Sequence, residues 1–216
     1  MTYRSLALSR RTMLGGAALV VGGAYLGRLA LATDTSPAAE QVVRGLVERV
    51  LSLLASGRFD AHNGALEISL AIEQQADLSL LGRLALGRYW RQATPEQQAQ
   101  YDALFRRYML QTFARRINSY AGRDLGAPQE RFTITSSRAI GDRDILVHSR
   151  LTPPQSPPLQ VDWRLRQHRQ EPVIIDLIVE GISLLVTQRS EFEAVISRGG
   201  MEALLAELRS RVAQPI

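Results

Sequence analysis

The amino-acid sequence predicts an α+β domain in which helices come first and an antiparallel sheet follows. Residues 95–122 carry apolar and aromatic side chains at steps of three and four, the spacing of one helix face. After Pro128 the spacing becomes two, as expected for strands with one buried face. Helices and one long helix packed on a curved sheet of about four strands would form a cone-like domain.

The helices before residue 95 are predicted from amphipathic stretches. An apolar stripe begins at Ala39 and ends near Gly57, which predicts a first helix. A second helical region covers residues 66–86 and is predicted to be interrupted at Gly82. Each of these apolar faces must pack against another element.

The long helix has a well-defined predicted start. Thr94 is suited to the N-cap, Pro95 to the first helical position, and Gln97 to the last position of a capping box. The helix is predicted to stop at Gly122, and at about 1.5 Å per residue it would be about 40 Å long. Its largely apolar stripe consists of Tyr101, Leu104, Phe105, Tyr108, Met109, Thr112, Phe113, Ile117 and Tyr120.

Three stretches in the second half of the chain are predicted to form strands with two different faces. Phe132, Ile134 and Ser136 are expected to share one face, and residues 145–151 alternate in the same way. Residues 159–166 alternate strictly between apolar and polar side chains. This alternation predicts a sheet with one buried face and one solvated face.

The last predicted strand, residues 173–186, is apolar on both faces and is therefore expected to lie centrally in the sheet. The proline-rich residues 153–158 are predicted to be a stiff connection between two strands. A closing helix is expected to begin at Gln188. A final helix follows, with an apolar side formed by Met201, Leu204, Leu205 and Leu208.

The charge distribution disfavours a nucleic-acid partner. The formal net charge is +5, every one of the 26 basic residues is Arg, and four of them precede residue 33, where there is no acid. The rest of the chain has a formal charge of only +1, so no strongly basic surface is predicted. The absence of Cys excludes disulfides, thiolate metal sites and thiol nucleophiles.

Residues 1–32 are predicted to be an export signal. Residues 9–14 resemble a twin-arginine motif, an apolar stretch continues to residue 26, and small residues lead to a cleavage site after Ala32. An ordinary secretory signal is the alternative. The stretch is shorter than the ~20 residues of a spanning helix, which disfavours a permanent anchor. Residues 33–216 are then one exported, periplasmic domain.

No assembled catalytic motif is present in the sequence, and no metal site is predicted. His62, His148 and His168 have no second ligand at metal-binding spacing, so surface or hydrogen-bonding roles are favoured.

Asp176 interrupts an apolar strand, where a charge is costly unless it is paired. We favour an ion pair with Arg164 or Arg166 on the neighbouring strand. The alternative is a general base inside the cavity of a cone-shaped enzyme.

Several blocks together resemble a known family. Residues 86–91 read Leu-Gly-Arg-Tyr-Trp-Arg, residues 93–97 read Ala-Thr-Pro-Glu-Gln, and residues 161–166 read Val-Asp-Trp-Arg-Leu-Arg. Further blocks lie at residues 176–184 and 188–192. The chain resembles the MlaC (toluene-tolerance) family of periplasmic phospholipid carriers over residues 37–211.

The resemblance implies an NTF2-like cone that encloses an apolar pocket for acyl chains, with bound phospholipid as cargo and no cofactor. It also implies transient docking to an outer-membrane lipoprotein complex and to an inner-membrane ABC transporter complex of the Mla type. Apart from the resemblance, we expect one or two of the arginines around the long helix to contact a lipid phosphate or acidic patches on partners, and most of them to lie on a solvated helix face. The expected pocket wall consists of Leu84, Leu104, Tyr108, Phe113, Ile117, Val147, Val161, Trp163, Leu165, Ile175, Leu177 and Val179.

Three other functions stay open at this point. A related carrier could hold a hopanoid or another polycyclic or isoprenoid lipid. A cone-fold enzyme could use Asp176 as its base. The third is an interaction module whose core is filled by side chains.

Overall fold

The computed structural model describes residues 35–56, 63–118, 128–152, 157–168 and 171–214. The predicted export signal, His62, Tyr120, Gly122 and the prolines at 153 and 154 lie outside these ranges.

Four helices and a 3-10 turn form the first half of the described chain. They are α1 (Pro37–Ala55), α2 (Asn63–Gln75), α3 (Leu78–Leu86), the 3-10 turn (Gly87–Arg91) and α4 (Pro95–Asn118).

The helix break predicted at Gly82 is wrong, because the chain breaks instead between α2 and α3. Asp77 caps α3 by accepting a hydrogen bond from the Leu80 N–H at 2.8 Å. Ala76 forms an isolated parallel bridge with Ile174 of the sheet. Gly82 lies inside α3, where it allows the Phe105 ring to approach: a Cβ at residue 82 would be 2.9 Å from that ring.

The capping box predicted at the start of α4 is confirmed. The Thr94 N–H donates to Gln97 Oε1 at 3.1 Å, and the Gln97 N–H donates to Thr94 Oγ1 at 3.2 Å. The two residues therefore satisfy each other's backbone groups at the helix start. The described helix ends at Asn118, and the four further residues of the prediction lie outside the described ranges.

A short helix, α5 (Pro128–Arg131), leads into one antiparallel sheet. The sheet has the order β1-β2-β3-β4-β5. The long strands are β1 (Phe132–Ile140), β2 (Asp144–Leu151), β3 (Leu159–His168) and β4 (Glu171–Val179). The predicted α+β class is confirmed. The sheet has four long strands, as expected, and a fifth strand of two residues.

The predicted last strand is wrong in its length and its central place. Its chain turns at Glu180 (φ 49°) and Gly181 (φ 79°), because two successive residues adopt left-handed backbone. The chain then forms only β5 (Ile182–Ser183), so β4 lies next to the edge of the sheet. The final helix, α6 (Leu184–Ala213), begins four residues before Gln188.

Helix α6 is kinked at Gly200, which has φ 73° and ψ −173°. The kink separates the two closing helices that the sequence predicts. The described part of the chain contains no helix that is long and apolar enough to cross a membrane.

Candidate functional site

Two separate hydrophobic cores flank α4. The sheet-side core lies among α1, α2 and the sheet, and its buried members are Ala39, Val43, Leu46, Val47, Leu51, Leu54, Ile68, Ala71, Ile72, Leu78, Phe132, Val147, Leu165 and Ile174. The helical core lies among α3, α4 and α6, and its buried members are Ala85, Leu86, Tyr101, Phe105, Tyr108, Leu185, Phe192, Leu204, Leu205, Leu208 and Val212.

The helical core is closely packed. The ring centroids of Tyr101 and Phe105 lie 5.5 Å apart in a stacked arrangement, and Phe192 meets both rings edge-on. The Tyr101 hydroxyl donates to the Gly82 carbonyl oxygen at 2.9 Å, and burial raises the pKa of this hydroxyl. The first half of the predicted aromatic stripe is therefore filled core.

Large apolar side chains remain partly exposed along the border of the sheet-side core, as they do around the helical core. We call those that border the sheet-side core the apolar rim. They come from α1, from the second half of α4 and from the sheet: Val42, Val50, Leu53, Leu110, Phe113, Ile117, Ile134, Ile145, Leu151 and Trp163.

Strand register places one set of apolar residues on a single sheet face. Val147 is paired with Trp163, and Trp163 with Leu177. In the next row Val161 is paired with Val179. Directly paired residues share a face of an antiparallel sheet, so these five predicted wall residues line one surface.

The predicted wall residues divide between the two cores. Phe113, Ile117, Val147, Trp163 and Leu165 belong to the sheet-side core or its rim. Val161 and Ile175 are buried, whereas Leu177 and Val179 are partly exposed. Leu84, Leu104 and Tyr108 belong to the helical core instead, on another side of α4.

Strand β1 contains a bulge that the sequence pattern does not predict. The register shifts between Ile134 and Ser136, so Ser137, not Ser136, is paired with Val147. Ser137 is buried, and its hydroxyl donates to Glu40 of α1 at 2.5 Å. The expected common face of Phe132, Ile134 and Ser136 is therefore wrong at its last member.

The predicted ion pair of Asp176 with Arg164 or Arg166 is wrong. Asp176 is buried, but its oxygens accept the Ser183 hydroxyl at 2.5 Å and the Leu185 N–H at 2.9 Å. The carboxylate thus holds the start of α6, where unpaired N–H groups favour an anion. Strand register alone would allow the predicted pair, because Arg164 lies opposite Asp176 in β3 and β4. The two side chains nevertheless have different partners.

Both arginines instead contact Asp144, which the sequence analysis missed. Arg166 Nε donates to Asp144 Oδ1 at 2.7 Å and Arg164 Nε donates to Oδ2 at 2.8 Å. Hydrogen bonds from Arg166 and then from Arg164 hold the pKa of Asp144 below its ordinary value. The pairing of Asp144 with Arg166 across β2 and β3 is the signal that could have revealed it.

We expect Asp144→Asn to lower the free energy of unfolding by about 1–3 kcal/mol, since it leaves two guanidinium groups without a carboxylate. The partial exposure of both arginines keeps the value below that of a fully buried pair. Because the folded pKa is lowered, the stabilisation is full above the unfolded pKa of about 3.9 and is lost as pH falls through the folded value. Urea unfolding at neutral and strongly acidic pH measures this, and an equal difference at both pH values would contradict it.

The described histidines have carboxylate neighbours. His148 Nδ1 lies 2.9 Å from Asp162 Oδ1, and His168 Nε2 lies 3.9 Å from Asp77 Oδ2. Within the described ranges, no group of three His, Cys, Asp or Glu side chains is placed to hold a metal ion.

The sequence blocks around residues 86–97 and 188–192 meet in the structure. Arg88 forms an ion pair with Glu193, and Arg189 Nε donates to the Leu84 carbonyl oxygen at 3.0 Å. Gly87 has φ 58°, and a Cβ there would lie 3.6 Å from Arg189. These contacts join the end of α3 and the 3-10 turn to α6. The described role of the two blocks is therefore to hold these helices together.

The fold and the rim define a class of protein: an α+β domain with a single antiparallel sheet, one face of which borders a partly uncovered apolar surface. The family model for the MlaC protein matches residues 44–210. The chain belongs to the MlaC family.

A curated relative and a solved structure agree with this assignment. The intermembrane phospholipid transport system binding protein MlaC of Haemophilus influenzae is 21% identical over 145 residues, which cover 65% of this chain. The match spans 64% of that relative, slightly less than two thirds of its length. A phospholipid-binding protein from Ralstonia solanacearum, solved in complex with a phospholipid, is 26% identical and matches with a TM-score of 0.68. That match covers 82% of this chain and 97% of the other.

Proposed function

We propose that this protein binds a phospholipid by its acyl chains and carries it between membranes. The observation that carries the proposal is the apolar rim, which brings side chains of α4 and of the sheet to the border of one core. A lipid against this rim would cover apolar surface that is now partly exposed. The phospholipid complex of the Ralstonia solanacearum relative supports the choice of ligand.

Burial of acyl chains provides the binding energy in this proposal. Apolar surface contributes roughly 25 cal/mol per Å² when it is removed from water, and two chains would bury hundreds of Å². Tight binding then needs no single polar contact. The head group can stay at the surface, where arginines such as Arg91 and Arg107 are exposed.

The transport step in the proposal takes place in the periplasm. The exported domain would dock transiently on an outer-membrane lipoprotein complex and on an inner-membrane ABC transporter complex of the Mla type. Docking would favour an open conformation, and the lipid would move according to its affinity for each state. The name of the Haemophilus influenzae relative, which places that protein in an intermembrane transport system, supports this role.

We expect protein purified from the periplasm to carry about one phospholipid per chain, because the wall residues that the register aligns lie on one face of a single sheet. Lipid extraction followed by mass spectrometry gives the identity and the ratio. Hopanoid in place of phospholipid would support the alternative cargo. A protein free of any lipid, with the rim filled by side chains in a crystal structure, would exclude the carrier function.

We expect replacement of Arg10 and Arg11 together by Lys to block export, because the twin-arginine translocase recognises the arginine pair itself. The positive charge is retained in this variant, so the change tests recognition and not charge. The measurement is the fraction of processed protein in the periplasm. Normal processing at Ala32 would show that an ordinary secretory route is sufficient.

A further inference from the structure

One stretch of α4 carries polar atoms that are shielded from water and have no hydrogen-bond partner. Within the described ranges, the side-chain atoms in this condition are Gln111 Oε1, Thr112 Oγ1 and Arg115 Nη1. Buried polar atoms of proteins are normally paired, so three unpaired ones within five residues of one helix require an explanation. Residues three and four positions apart are neighbours on a helix surface, which places Arg115 beside both other residues.

Arg115 is a charged residue without a counterion in the described part of the chain. Other arginines of α4 and α6 differ from it: Arg106 pairs with Glu73 at 2.8 Å, and Arg211 lies 3.8 Å from Glu191. A guanidinium keeps its charge at ordinary pH, and a shielded charge is costly unless an anion pairs with it. Arg115 as a whole is only half-buried, so rotation of its guanidinium can bring Nη1 to an anion from solvent.

Gln111 restricts which anion fits this position. Its Nε2 donates to the Val212 carbonyl oxygen at 3.2 Å, which leaves Oε1 as the unpaired end of the amide. A ligand that satisfies all three atoms must accept from Arg115 and donate to Gln111, while the Thr112 hydroxyl can do either. An ionised carboxylate or a sulfate has no proton to donate. Inorganic phosphate keeps a P–OH at neutral pH, and a phosphodiester can have a hydroxyl or ammonium group beside it, so both offer the two functions.

This position is separate from the apolar rim. Successive residues of an α-helix are rotated by about 100°, so Arg115 lies about 160° around α4 from Phe113 and from Ile117, which border the sheet-side core. The contact of Gln111 with Val212 places the position at the last turn of α6 instead. The inference therefore goes beyond the proposed function and does not depend on it.

We propose that Gln111, Thr112 and Arg115 form a binding site for a phosphate group that has a hydrogen-bond donor on it or beside it. Arg115 and Thr112 donate to the phosphate oxygens, and Gln111 Oε1 accepts from the donor. Two sources share this chemistry. One is soluble phosphate, and the other is a phospholipid head group that ends in an amine or a hydroxyl.

The first experiment titrates delipidated wild-type protein in a calorimeter with two pairs of ligands at neutral pH. Inorganic phosphate is compared with sulfate, and dihexanoyl phosphatidylethanolamine is compared with dihexanoyl phosphatidylcholine, which has the same hydrocarbon chains but no donor. We expect the donor-bearing member of a pair to bind about tenfold more tightly, because only that member can donate to Gln111. Preference within the first pair assigns soluble phosphate, and preference within the second pair alone assigns the head group. No preference in either pair, or no binding, would overturn the proposal.

The second experiment assigns the binding to these side chains. Arg115→Gln should weaken binding of the preferred ligand by about tenfold or more, and Thr112→Val by about three- to tenfold. Thr112→Ser keeps the hydroxyl and should bind like the wild type. Arg44→Gln, at an exposed arginine of α1, removes the same charge and should leave binding unchanged.

Unchanged binding in folded Arg115→Gln and Thr112→Val proteins would overturn the proposal, as would a crystal structure grown with the preferred ligand in which only water contacts Arg115. Should Arg115→Gln not fold, the comparison of Thr112→Val with Thr112→Ser decides the matter, because only the first of these two variants lacks the hydroxyl.

Discussion

Replacement of Val179 by Trp is expected to remove most of the bound lipid and to leave the protein folded. Val179 is partly exposed at the end of β4, on the same sheet face as Trp163. A bulky ring there would occupy space that the acyl chains need, and it would displace ligand instead of neighbouring core atoms. Val161, its partner in β3, is unsuitable because it is 5% exposed, so enlargement there would cost roughly 1–3 kcal/mol through strain.

Ile178→Trp is the matched control for this variant. Ile178 is the preceding residue of the same strand and is also partly exposed, but it is paired with Asp162 on the opposite face. Lipid per protein, measured after extraction, should fall for Val179→Trp and stay at the wild-type ratio for Ile178→Trp. Full lipid loading of Val179→Trp would mean that the acyl chains bind elsewhere.

The sequence predicts those parts of the fold that depend on local chemistry. The start of α4 follows from Thr94 and Gln97, whose two hydrogen bonds need no other element. The strict alternation of residues 159–166 predicts β3 because each side chain reports the face on which it lies. Both signals lie within a few residues of the structure that they specify.

Features that depend on contacts between distant residues could not be predicted in this way. The α2–α3 break involves the bridge from Ala76 to Ile174, which are far apart in sequence. The partner of Arg164 depends on the pairing of β2 with β3, which brings Asp144 opposite Arg166 and next to Arg164. Alternation alone gives the face of a side chain but not which of two nearby acids it contacts.

The candidate site shows the same limit. An aromatic stripe predicts that α4 is buried, but it does not show that two cores share the helix. Tyr108 is directed to the helical core, whereas Phe113 borders the sheet-side core. Five residues advance a helix by about 500°, which turns the second side chain well away from the first. The positions of α6 and of the sheet decide which side chains of α4 enter the helical core and which border the sheet-side core.

The last prediction concerns Asp176. We expect Asp176→Ala to lower the free energy of unfolding by about 2–3 kcal/mol, because it leaves the buried Leu185 N–H and the Ser183 hydroxyl without their acceptor. Asp142→Ala, at an exposed acid in the turn between β1 and β2, should change the value by less than about 0.5 kcal/mol.

Ser183→Ala separates the hydrogen bond that Asp176 accepts from the Ser183 hydroxyl from the one that it accepts from the Leu185 N–H. It removes one hydrogen bond to Asp176 and also the acceptor of the Val186 N–H, so the two substitutions should be coupled in a double-mutant cycle. Urea unfolding of the two single variants and the double variant measures that coupling.

If Asp176→Ala is as stable as the wild type, retains its lipid and loses a measurable turnover, the carboxylate acts as a catalytic base. If Asp176 only secures the start of α6, stability falls and the protein that remains folded still binds lipid, because neither oxygen of the carboxylate is needed at the apolar rim.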